Sequence, residues 1–478
     1  MPSQPPAIDS RLLAALQQVV GKKQVATAPE ERLSYAYDGS GREYPPAAVV
    51  FPANSDQIAA VLRLAGKYRT PVIPRGAGTG MCGGALATRG GIILALSRMT
   101  KIVEIDEDNQ VAVVQPGVIT AELQAAVRRH DLYYPPDPAS RAFCTIGGNV
   151  ACGAGGPAAV KYGVTRDYVL GLKAVLANGD IIHTGVRTAK GVVGYDLTRL
   201  LVGSEGTLAV IGEITLRLVP APAAKQTMLL LCRDLLQATG LVSAILRRLT
   251  PATLEYLDRT ALGLVADRLP TGLIERSQEQ IGQNPAAMLL LELDGSPEEV
   301  AGQIRQLKEF LQDQQGVILH AAADHEEVEQ LWAARRAVSP AAFKLRPHKI
   351  SDDVVVPRSR IPDLVATAEQ LAAGTGLPIF TFGHAGDGNI HVNIMLDRDN
   401  EQERRAAETA RQAIYKRVLE LRGTLSGEHG VGISKAAAIT AEVDPASLEL
   451  MKNLKKLFDP GNILNPGKIW GGGGQVLT

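Results

Sequence analysis

The segment PRGAGTGMCGGAL, residues 74–86, decides which fold the sequence predicts. Gly78, Gly80 and Gly83 match the GxGxxG spacing, which in dinucleotide-binding Rossmann folds is followed at once by a helix. Here the next residues, ALATRGGIILAL, have the pattern of a further strand. The sequence therefore disfavours a Rossmann NAD site and predicts two strands joined by a glycine-rich loop.

A strand–loop–strand unit of this kind can still bind phosphate. Successive backbone N–H groups in a glycine-rich turn form a concave anion site that needs no helix. Arg75 adds a positive charge at the start of the loop. The alternative is a tight surface loop without a ligand, and this segment taken alone leaves that alternative open.

Two later segments are also rich in glycine and polar residues. TIGGNVACGAGG, residues 145–156, is predicted to form a second loop of the same kind, and VGSEGTLAVI, residues 202–211, a third. Several such loops can line a long ligand from a pyrophosphate to a ring system. A dinucleotide such as FAD has these dimensions.

The motifs PRGAGTG, TIGGNVACGAGG, YGVTRDYV, GSEGTL and ILNPGKI occur in this order between residues 46 and 469. In this order they resemble the FAD-linked D-2-hydroxyacid dehydrogenases of the vanillyl-alcohol oxidase/p-cresol methylhydroxylase superfamily, which include glycolate, D-lactate and D-2-hydroxyglutarate dehydrogenases. The resemblance implies an α+β chain. It comprises a two-subdomain FAD-binding domain of the p-cresol methylhydroxylase type and an α+β substrate (cap) domain, in which helices cover an antiparallel sheet.

The domain limits follow from length and from a change in pattern. A chain of 478 residues is too long for one ordinary core. PAPAAK, residues 220–225, marks a boundary, after which strands alternate with long helices. We expect an N-terminal helical segment (1–45), the FAD-binding domain (46–220), the substrate domain (221–425) and a C-terminal segment that returns to the FAD domain (426–478).

The resemblance also implies which residues hold FAD. They are expected along the glycine segments and in the tail: Arg75, Gly76, Ala77, Gly78, Thr79, Gly80, Pro116, Gly117, Asp137, Thr145, Gly148, Asn149, Cys152, Gly153, Gly155, Tyr162, Glu205, Gly206, Thr207, Ile211 and Asn465. Some members of the superfamily attach FAD covalently through a histidine of the first loop. That loop has no histidine here, so non-covalent FAD is expected.

A second constellation lies in FGHAGDGNIHVNI, residues 382–394. Asp387 and Gly388 form a favoured turn pair, so the chain is predicted to reverse there. In the following strand His391 and Asn393 share one face, because side chains alternate along a strand. His384 can reach the same side across the bend. This segment alone leaves open a metal site and a polar hairpin.

A third ligand is available in GTLSGEHGVG, residues 423–432. Two histidines and a carboxylate form a known set for divalent metals that leaves positions open for substrate. The resemblance gives the same assignment, with His384, His391 and Glu428 as metal ligands and His429 as the catalytic base. Zinc, manganese and iron(II) all accept this ligand set.

Cations for a substrate carboxylate occur between residues 331 and 353. Most charges in such a run lie on solvated helix faces. The resemblance nevertheless implies that Arg335 and Lys349 bind the carboxylate and that Asn393 and His429 also contact the substrate. Ser339 stands where relatives often have threonine, which is a departure from the family pattern.

The expected reaction is oxidation of glycolate, D-lactate or a related D-2-hydroxy acid to the 2-oxo acid, with hydride transfer to flavin N5. The chain has no ligand pattern for an iron–sulfur cluster. We therefore expect an external acceptor: a quinone, an electron-transfer protein or an iron–sulfur subunit. The alternatives are a D-2-hydroxyglutarate dehydrogenase, an oxidase that uses O2, and a flavin electron-transfer subunit without its own substrate.

Charge and hydropathy limit the partners and the location. Lys plus Arg and Asp plus Glu number 50 each, which argues against a nucleic-acid partner. No apolar run reaches the length of a membrane span, and the start lacks a secretory pattern. We expect a cytoplasmic protein, with any membrane contact made through partner subunits. Whether it forms a homodimer is left open.

Overall fold

The computed structural model describes residues 8–470. These residues form two compact units. The first unit contains the described residues up to Gly155, Val164–Ala221 and those from Glu428 onward, and the second contains Gly156–Gly163 and Pro222–Gly427. Residues 1–7 of the expected N-terminal segment and 471–478 of the expected C-terminal segment lie outside the described residues.

The strands are, in chain order, β1 (Val25–Ala26), β2 (Ala48–Val50), β3 (Val72–Arg75), β4 (Ile92–Ala95), β5 (Ile102–Asp106), β6 (Val111–Val114), β7 (Leu132–Tyr133), β8 (Val169–Val175), β9 (Ile181–Gly185), β10 (Val210–Arg217), β11 (Val219–Pro220), β12 (Ala224–Cys232), β13 (Thr253–Asp258), β14 (Ala287–Gly295), β15 (Val317–Ala321), β16 (His348–Val355), β17 (Ile379–His384) and β18 (Asn389–Leu396).

The α-helices are α1 (Ser10–Val20), α2 (Pro29–Leu33), α3 (Ser55–Lys67), α4 (Thr120–Arg128), α5 (Ile146–Cys152), α6 (Ala159–Tyr162), α7 (Thr165–Tyr168), α8 (Leu197–Leu201), α9 (Leu235–Leu246), α10 (Arg259–Val265), α11 (Leu273–Ile281), α12 (Pro297–Leu311), α13 (His325–Ala341), α14 (Ile361–Thr375), α15 (Glu401–Glu420), α16 (Ile439–Glu442) and α17 (Pro445–Phe458).

The first unit is built on two main sheets. One has the order β1-β2-β4-β3, with β2 and β3 each parallel to β4. The other is antiparallel with the order β5-β6-β10-β8-β9, and β7 pairs separately with β11. Helix α3 packs its apolar face on the core that contains β2 and β4. This division into two sheets agrees with a two-subdomain domain.

The glycine segment of residues 74–86 connects β3 to β4, two neighbouring parallel strands. Among the described residues no helix begins between them. The prediction of a strand–loop–strand unit is therefore confirmed. Asn54 caps α3, since its side chain accepts the Gln57 N–H.

The second unit is an antiparallel sheet of seven strands, in the order β15-β12-β14-β13-β17-β18-β16. Helices α10 and α13 pack on it in a core that includes Leu257, Leu290, Leu331 and Phe382. Helix α12 begins with a capping box, in which Ser296 and Glu299 exchange hydrogen bonds. The expected α+β arrangement with an antiparallel, helix-covered sheet is confirmed.

Within residues 8–470, no helix combines the length and the apolar character that crossing a membrane requires.

Candidate functional site

In the first unit, Arg75 lies beneath the glycine loop that follows β3. It is 5% exposed, and its guanidinium donates a hydrogen bond to the Tyr37 carbonyl at 2.8 Å. Gly78 has φ +74°, and a Cβ on it would lie 2.1 Å from Arg75 Nη2. The positive φ favours glycine at this position, and a Cβ would also force the Arg75 guanidinium to move. The role of Arg75 as a phosphate ligand stays a prediction.

The second glycine segment begins as a helix, where we expected a loop. Thr145 caps α5 by accepting the Gly148 N–H at 3.2 Å. A Cβ on Gly76 would come within 2.3 Å of Thr145 Oγ1, and one on Gly147 within 2.4 Å of Pro116 Cβ. The loop expectation was wrong because glycine's low helix propensity, about 1 kcal/mol per residue, is outweighed here. The missing side chains allow α5 to pack directly on the first loop and on Pro116.

Two features of the first unit fit the FAD that the sequence predicts. A Cβ on Gly80 would meet no heavy atom of the described residues within 4 Å, so there is open space beside the loop. Asn465 donates to the carbonyls of Gly84 and Glu205 at 2.8 and 2.7 Å. Its Oδ1 is buried and has no hydrogen-bond partner among the described residues. Such an acceptor suits a ligand that carries N–H donors, as a flavin does.

The other residues that the resemblance implies for the cofactor lie in the first unit, with one exception. Tyr162 belongs to the second unit, where its hydroxyl donates to Asp294 Oδ2 at 2.7 Å. Those in the first unit are Ala77, Thr79, Gly117, Asp137, Asn149, Cys152, Gly153, Gly155, Gly206, Thr207 and Ile211.

Glu205 has a partner that the sequence did not indicate. Its carboxylate is buried and accepts the Val431 N–H at 2.7 Å and the Gly432 N–H at 2.8 Å. Burial raises the pKa of the Glu205 carboxyl, although these two hydrogen bonds oppose the shift. The loop that carries His429 is thus tied to Glu205 through the backbone two and three residues further on. The expected contact of Glu205 with the adenine end stays a prediction.

His429 and Glu428 open the last stretch of the first unit. His429 Nε2 and Glu428 Oε1 are 3.9 Å apart, and each side chain is 16% exposed. The preceding residue, Gly427, ends the second unit. Its N–H donates to Asp353, at 3.1 Å to the carbonyl and 3.0 Å to Oδ2. Two neighbouring polar residues therefore follow directly on an anchored backbone position.

In the second unit, the expected hairpin joins β17 and β18. His384 pairs with Asn389 and Phe382 with His391 in the antiparallel register. Residues directly opposite each other point to the same face, so His384 and His391 share a face of the sheet. Asp387 Oδ1 accepts the Asn389 N–H at 3.0 Å, as a turn residue does. The predicted reversal at residues 387–388 is confirmed.

The two histidines lie next to each other. Their ring centroids are 5.3 Å apart, and a ring nitrogen of His384 lies within 4.8 Å of one of His391. They are 5% and 7% exposed. Two imidazoles buried at this spacing have the donor chemistry of a divalent-metal site.

Glu255 is a member of this cluster that the sequence analysis missed. It is fully buried on β13, and Oε1 accepts a hydrogen bond from His384 Nδ1 at 2.7 Å. The signal was a lone glutamate in the apolar strand TLEYLD, since a buried carboxylate needs specific partners. Burial raises the pKa of the Glu255 carboxyl, but the interactions with His384 and Arg335 outweigh it and lower the pKa overall.

Arg335 is the second partner of Glu255. Its Nε donates to Glu255 Oε2 at 2.8 Å and its Nη2 lies 2.6 Å from the same oxygen, and the guanidinium carbon lies 4.8 Å from the centroid of the Phe382 ring. The residue is 8% exposed. The structure thus brings Arg335 to the histidine pair through Glu255.

Lys349 and Asn393 are also part of the second unit. Lys349 Nζ donates to Ser339 Oγ at 2.6 Å, and burial lowers the pKa of this ammonium group to about 8. Asn393 is fully buried, and its Oδ1 has no hydrogen-bond partner among the described residues. Ser339 therefore supplies a hydroxyl that holds Lys349.

Two protein-family models match the chain. The FAD binding domain matches residues 46–185, and the C-terminal domain of FAD linked oxidases matches residues 221–469. The glycolate oxidase subunit GlcD of Bacillus subtilis is 43% identical over 95% of this chain and 96% of that protein. A D-lactate dehydrogenase of Anaerostipes hadrus is 33% identical over 94% of this chain and 95% of that protein.

Solved structures share the fold at low sequence identity. A p-cresol methylhydroxylase structure with bound substrate superposes with a TM-score of 0.80, at 19% identity, over 96% of each chain. An alkyldihydroxyacetonephosphate synthase gives a TM-score of 0.76 at 18% identity, over 97% of this chain and 87% of that one. The chain therefore has the α+β fold of p-cresol methylhydroxylase, as the sequence motifs implied.

Proposed function

Since the chain belongs to the family of FAD-linked oxidases, we propose that this oxidoreductase converts glycolate, D-lactate or a similar small D-2-hydroxy acid to the 2-oxo acid. The observation that carries the proposal is the buried cluster of the second unit. There a histidine pair suited to a metal stands beside Arg335, a cation suited to a carboxylate. Relatives named glycolate oxidase subunit and D-lactate dehydrogenase support the substrate class.

FAD is held without a covalent bond in this proposal. The loop of residues 75–80, helix α5 and Asn465 would hold it, since they offer glycine backbone, open space and a buried acceptor. When bound, FAD would supply the oxidising power of the reaction, as the acceptor of the hydride. No histidine stands in residues 74–86 to form a covalent link.

A divalent metal, zinc, manganese or iron(II), is the second proposed cofactor. His384, His391 and Glu428 would hold it, a set of two imidazoles and one carboxylate that leaves positions for other ligands. His384 uses Nδ1 for its hydrogen bond to Glu255, so Nε2 is the ligand nitrogen in this proposal. When bound, such a metal lowers the pKa of a substrate hydroxyl.

The side chains then have separate tasks. Arg335 and Lys349 fix the substrate carboxylate, Arg335 through its planar fork and Lys349 as a point charge. Asn393 contributes a buried amide to the same binding site. His429 takes the hydroxyl proton on its imidazole, so that hydrogen can leave the neighbouring carbon as hydride.

The electrons finally pass to an acceptor outside the chain. A quinone, an electron-transfer protein or an iron–sulfur partner subunit would serve. The name of the Bacillus subtilis relative, a glycolate oxidase subunit, supports an assembly with partner chains.

Anaerobic mixing of the FAD- and metal-loaded protein with single acids tests the proposal. We expect glycolate or D-lactate to bleach the flavin absorbance, and L-lactate to bleach it far more slowly. D-2-hydroxyglutarate in the same series separates the small acids from the longer one. Flavin that stays oxidised with every 2-hydroxy acid, while metal is bound, would refute the enzyme assignment.

His429→Ala tests the proposed base. The variant should retain FAD and metal but lose most of the bleaching rate, because the hydroxyl proton then has no acceptor at this position. Bleaching at the wild-type rate would remove His429 from this role.

A further inference from the structure

We propose that Glu255 is a positioning residue that fixes His384 and Arg335 in one arrangement, and thereby sets the metal affinity and the grip on substrate. This inference rests on the proposed function of the two partners. Two hydrogen bonds, of 2.8 and 2.7 Å, and an ion-pair contact of 2.6 Å meet on one carboxylate that is 0% exposed. All three residues belong to the second unit.

The sheet register explains why Glu255 reaches both partners. Strand β13 pairs with β17 so that Tyr256 lies opposite Gly383 and Leu257 opposite Phe382. Continuing this register places Glu255 opposite His384, on the face that they share. Helix α13 packs on the same core and brings Arg335 to Glu255 Oε2.

Glu255 determines which ring nitrogen of His384 is available to a metal. A carboxylate at Nδ1 fixes the tautomer and the orientation of the imidazole, and it increases the electron density at Nε2. Loss of a residue that hydrogen-bonds to a metal ligand commonly weakens metal affinity 10- to 100-fold. Glu255 thus fixes the tautomer and the orientation of His384, which the two histidines alone do not.

Glu255 also determines which edge of the Arg335 guanidinium faces the carboxylate of Glu255 and which faces the substrate. Nε and Nη2 form the side-on edge, and both point to Glu255 Oε2. The end-on edge, formed by Nη1 and Nη2, is then the one that meets a substrate carboxylate. Because one Glu255 carboxylate holds both partners, the spacing between metal ligand and substrate cation is fixed by a single side chain.

The test compares Glu255→Gln with Glu292→Gln. Glu292 is a matched control because it is a buried carboxylate on the neighbouring strand β14, near the same helix. It accepts hydrogen bonds from Thr227 Oγ1 at 2.9 Å and Trp332 Nε1 at 2.8 Å. The substitution is the same, and neither of these partners is assigned to metal or substrate.

Affinity for Zn²⁺ alone is measured by competition with a chromophoric chelator, on FAD-loaded protein without substrate. We expect Glu255→Gln to bind Zn²⁺ about 10- to 100-fold more weakly, with the FAD-to-protein ratio unchanged. Glu292→Gln should bind Zn²⁺ as the wild type does, whatever its thermal stability. KM for the substrate should rise in Glu255→Gln only.

Wild-type affinity in Glu255→Gln, or an equal loss in Glu292→Gln, would overturn the inference. If Glu255→Gln does not fold, Glu255→Asp replaces it, since the shorter side chain keeps the charge but withdraws the carboxylate from both partners. Unchanged Zn²⁺ affinity in Glu255→Asp would then count against the proposal. Failure of the proposed function is recognised separately, as a wild type that binds Zn²⁺ but reacts with no 2-hydroxy acid.

Discussion

The carboxylate of Glu205 accepts the backbone N–H of Gly432 at 2.8 Å, and its other oxygen accepts the Val431 N–H at 2.7 Å. These contacts fix the loop immediately after His429. A Cβ on Gly432 would come within 2.1 Å of the Cys82 carbonyl oxygen, so the backbone also packs closely on the other side. The loop that carries the proposed base is thus held by a buried carboxylate.

Glu205→Gln should therefore slow catalysis while FAD stays bound. The amide presents a donor to one of the two N–H groups, so one hydrogen bond is lost and the loop moves. We expect kcat to fall about 10- to 100-fold, the cost of misplacing a catalytic group by about 1 Å. Stopped-flow flavin reduction gives the rate, and hydrogen exchange should show faster exchange of the amides of residues 431 and 432.

Glu104→Gln is the control for this substitution, because Glu104 forms an exposed ion pair with Arg187 at 2.7 Å. Its flavin reduction should match the wild type. If Glu205→Gln loses its FAD instead of its rate, Glu205 acts through the cofactor, as the sequence analysis expected, and the loop interpretation is wrong.

The lowered pKa of Lys349 predicts that substrate binding depends on pH. Burial lowers the pKa of its ammonium group from 10.5 to about 8, so the free enzyme loses this charge as pH rises through about 8. A substrate carboxylate is attracted only by the charged form. We therefore expect kcat/KM, which reports the free enzyme, to decline above about pH 8.

Lys349→Arg identifies the group, because arginine stays protonated over this whole range. In that variant the decline near pH 8 should disappear, even if the maximum of kcat/KM is lower. A decline that persists would point to another group. Lys468 is one candidate, since burial lowers the pKa of its ammonium group to about 8 as well.

The folding stability responds to Lys349 in the same pH window. Between about pH 8 and 10.5 the unfolded chain binds the proton more tightly than the folded protein does. Stability contributed by this site therefore increases as pH rises through that window. A chemical-denaturation series at several pH values, with Lys349→Arg as reference, measures this increase.

Gly78 and Gly80 should respond differently to the same substitution. At Gly78 a Cβ meets Arg75 Nη2 at 2.1 Å and φ is +74°, so Gly78→Ala should lower the free energy of unfolding of the apo protein by about 1–3 kcal/mol. At Gly80 a Cβ meets no described atom within 4 Å. Gly80→Ala should therefore leave apo stability unchanged and weaken FAD binding, because the open space is where the cofactor is proposed to lie.

Urea unfolding of both apo variants and FAD titration followed by flavin fluorescence separate the two effects. Equal destabilisation by both alanines would show that neither glycine is specific for the ligand. Full FAD affinity in Gly80→Ala would remove the space beside Gly80 from the proposed site.

Local sequence patterns predicted the hairpin of the second unit and the strand–loop–strand unit of the first. The turn pair Asp387-Gly388 and the alternation of His391 with Ile390 and Val392 predicted the hairpin that the structure contains. The strand pattern after Gly83 disfavoured a Rossmann unit, and the structure contains the predicted strand–loop–strand unit. In each case neighbouring residues contained the deciding information.

What could not be predicted depends on contacts distant in sequence. Glu255 and His384 are 129 residues apart, and no periodicity relates one buried glutamate to one histidine. Helix α5 was not predicted, because Gly147 within it is explained by close packing on Pro116, which belongs to another part of the chain. In neither case does the local sequence identify the partner.

A comparison of Glu428 with Asp387 of the hairpin tests the metal proposal most directly. Glu428→Gln removes a carboxylate that we assign to the metal, so the purified variant should retain little metal while FAD stays bound. Asp387→Asn is the matched control, because the amide keeps an oxygen that can accept the Asn389 N–H and so preserves the turn. Elemental analysis of both proteins after dialysis against Zn²⁺-containing buffer gives the metal content. If Asp387→Asn loses its metal and Glu428→Gln retains it, the aspartate is the ligand and the proposed set of His384, His391 and Glu428 is wrong.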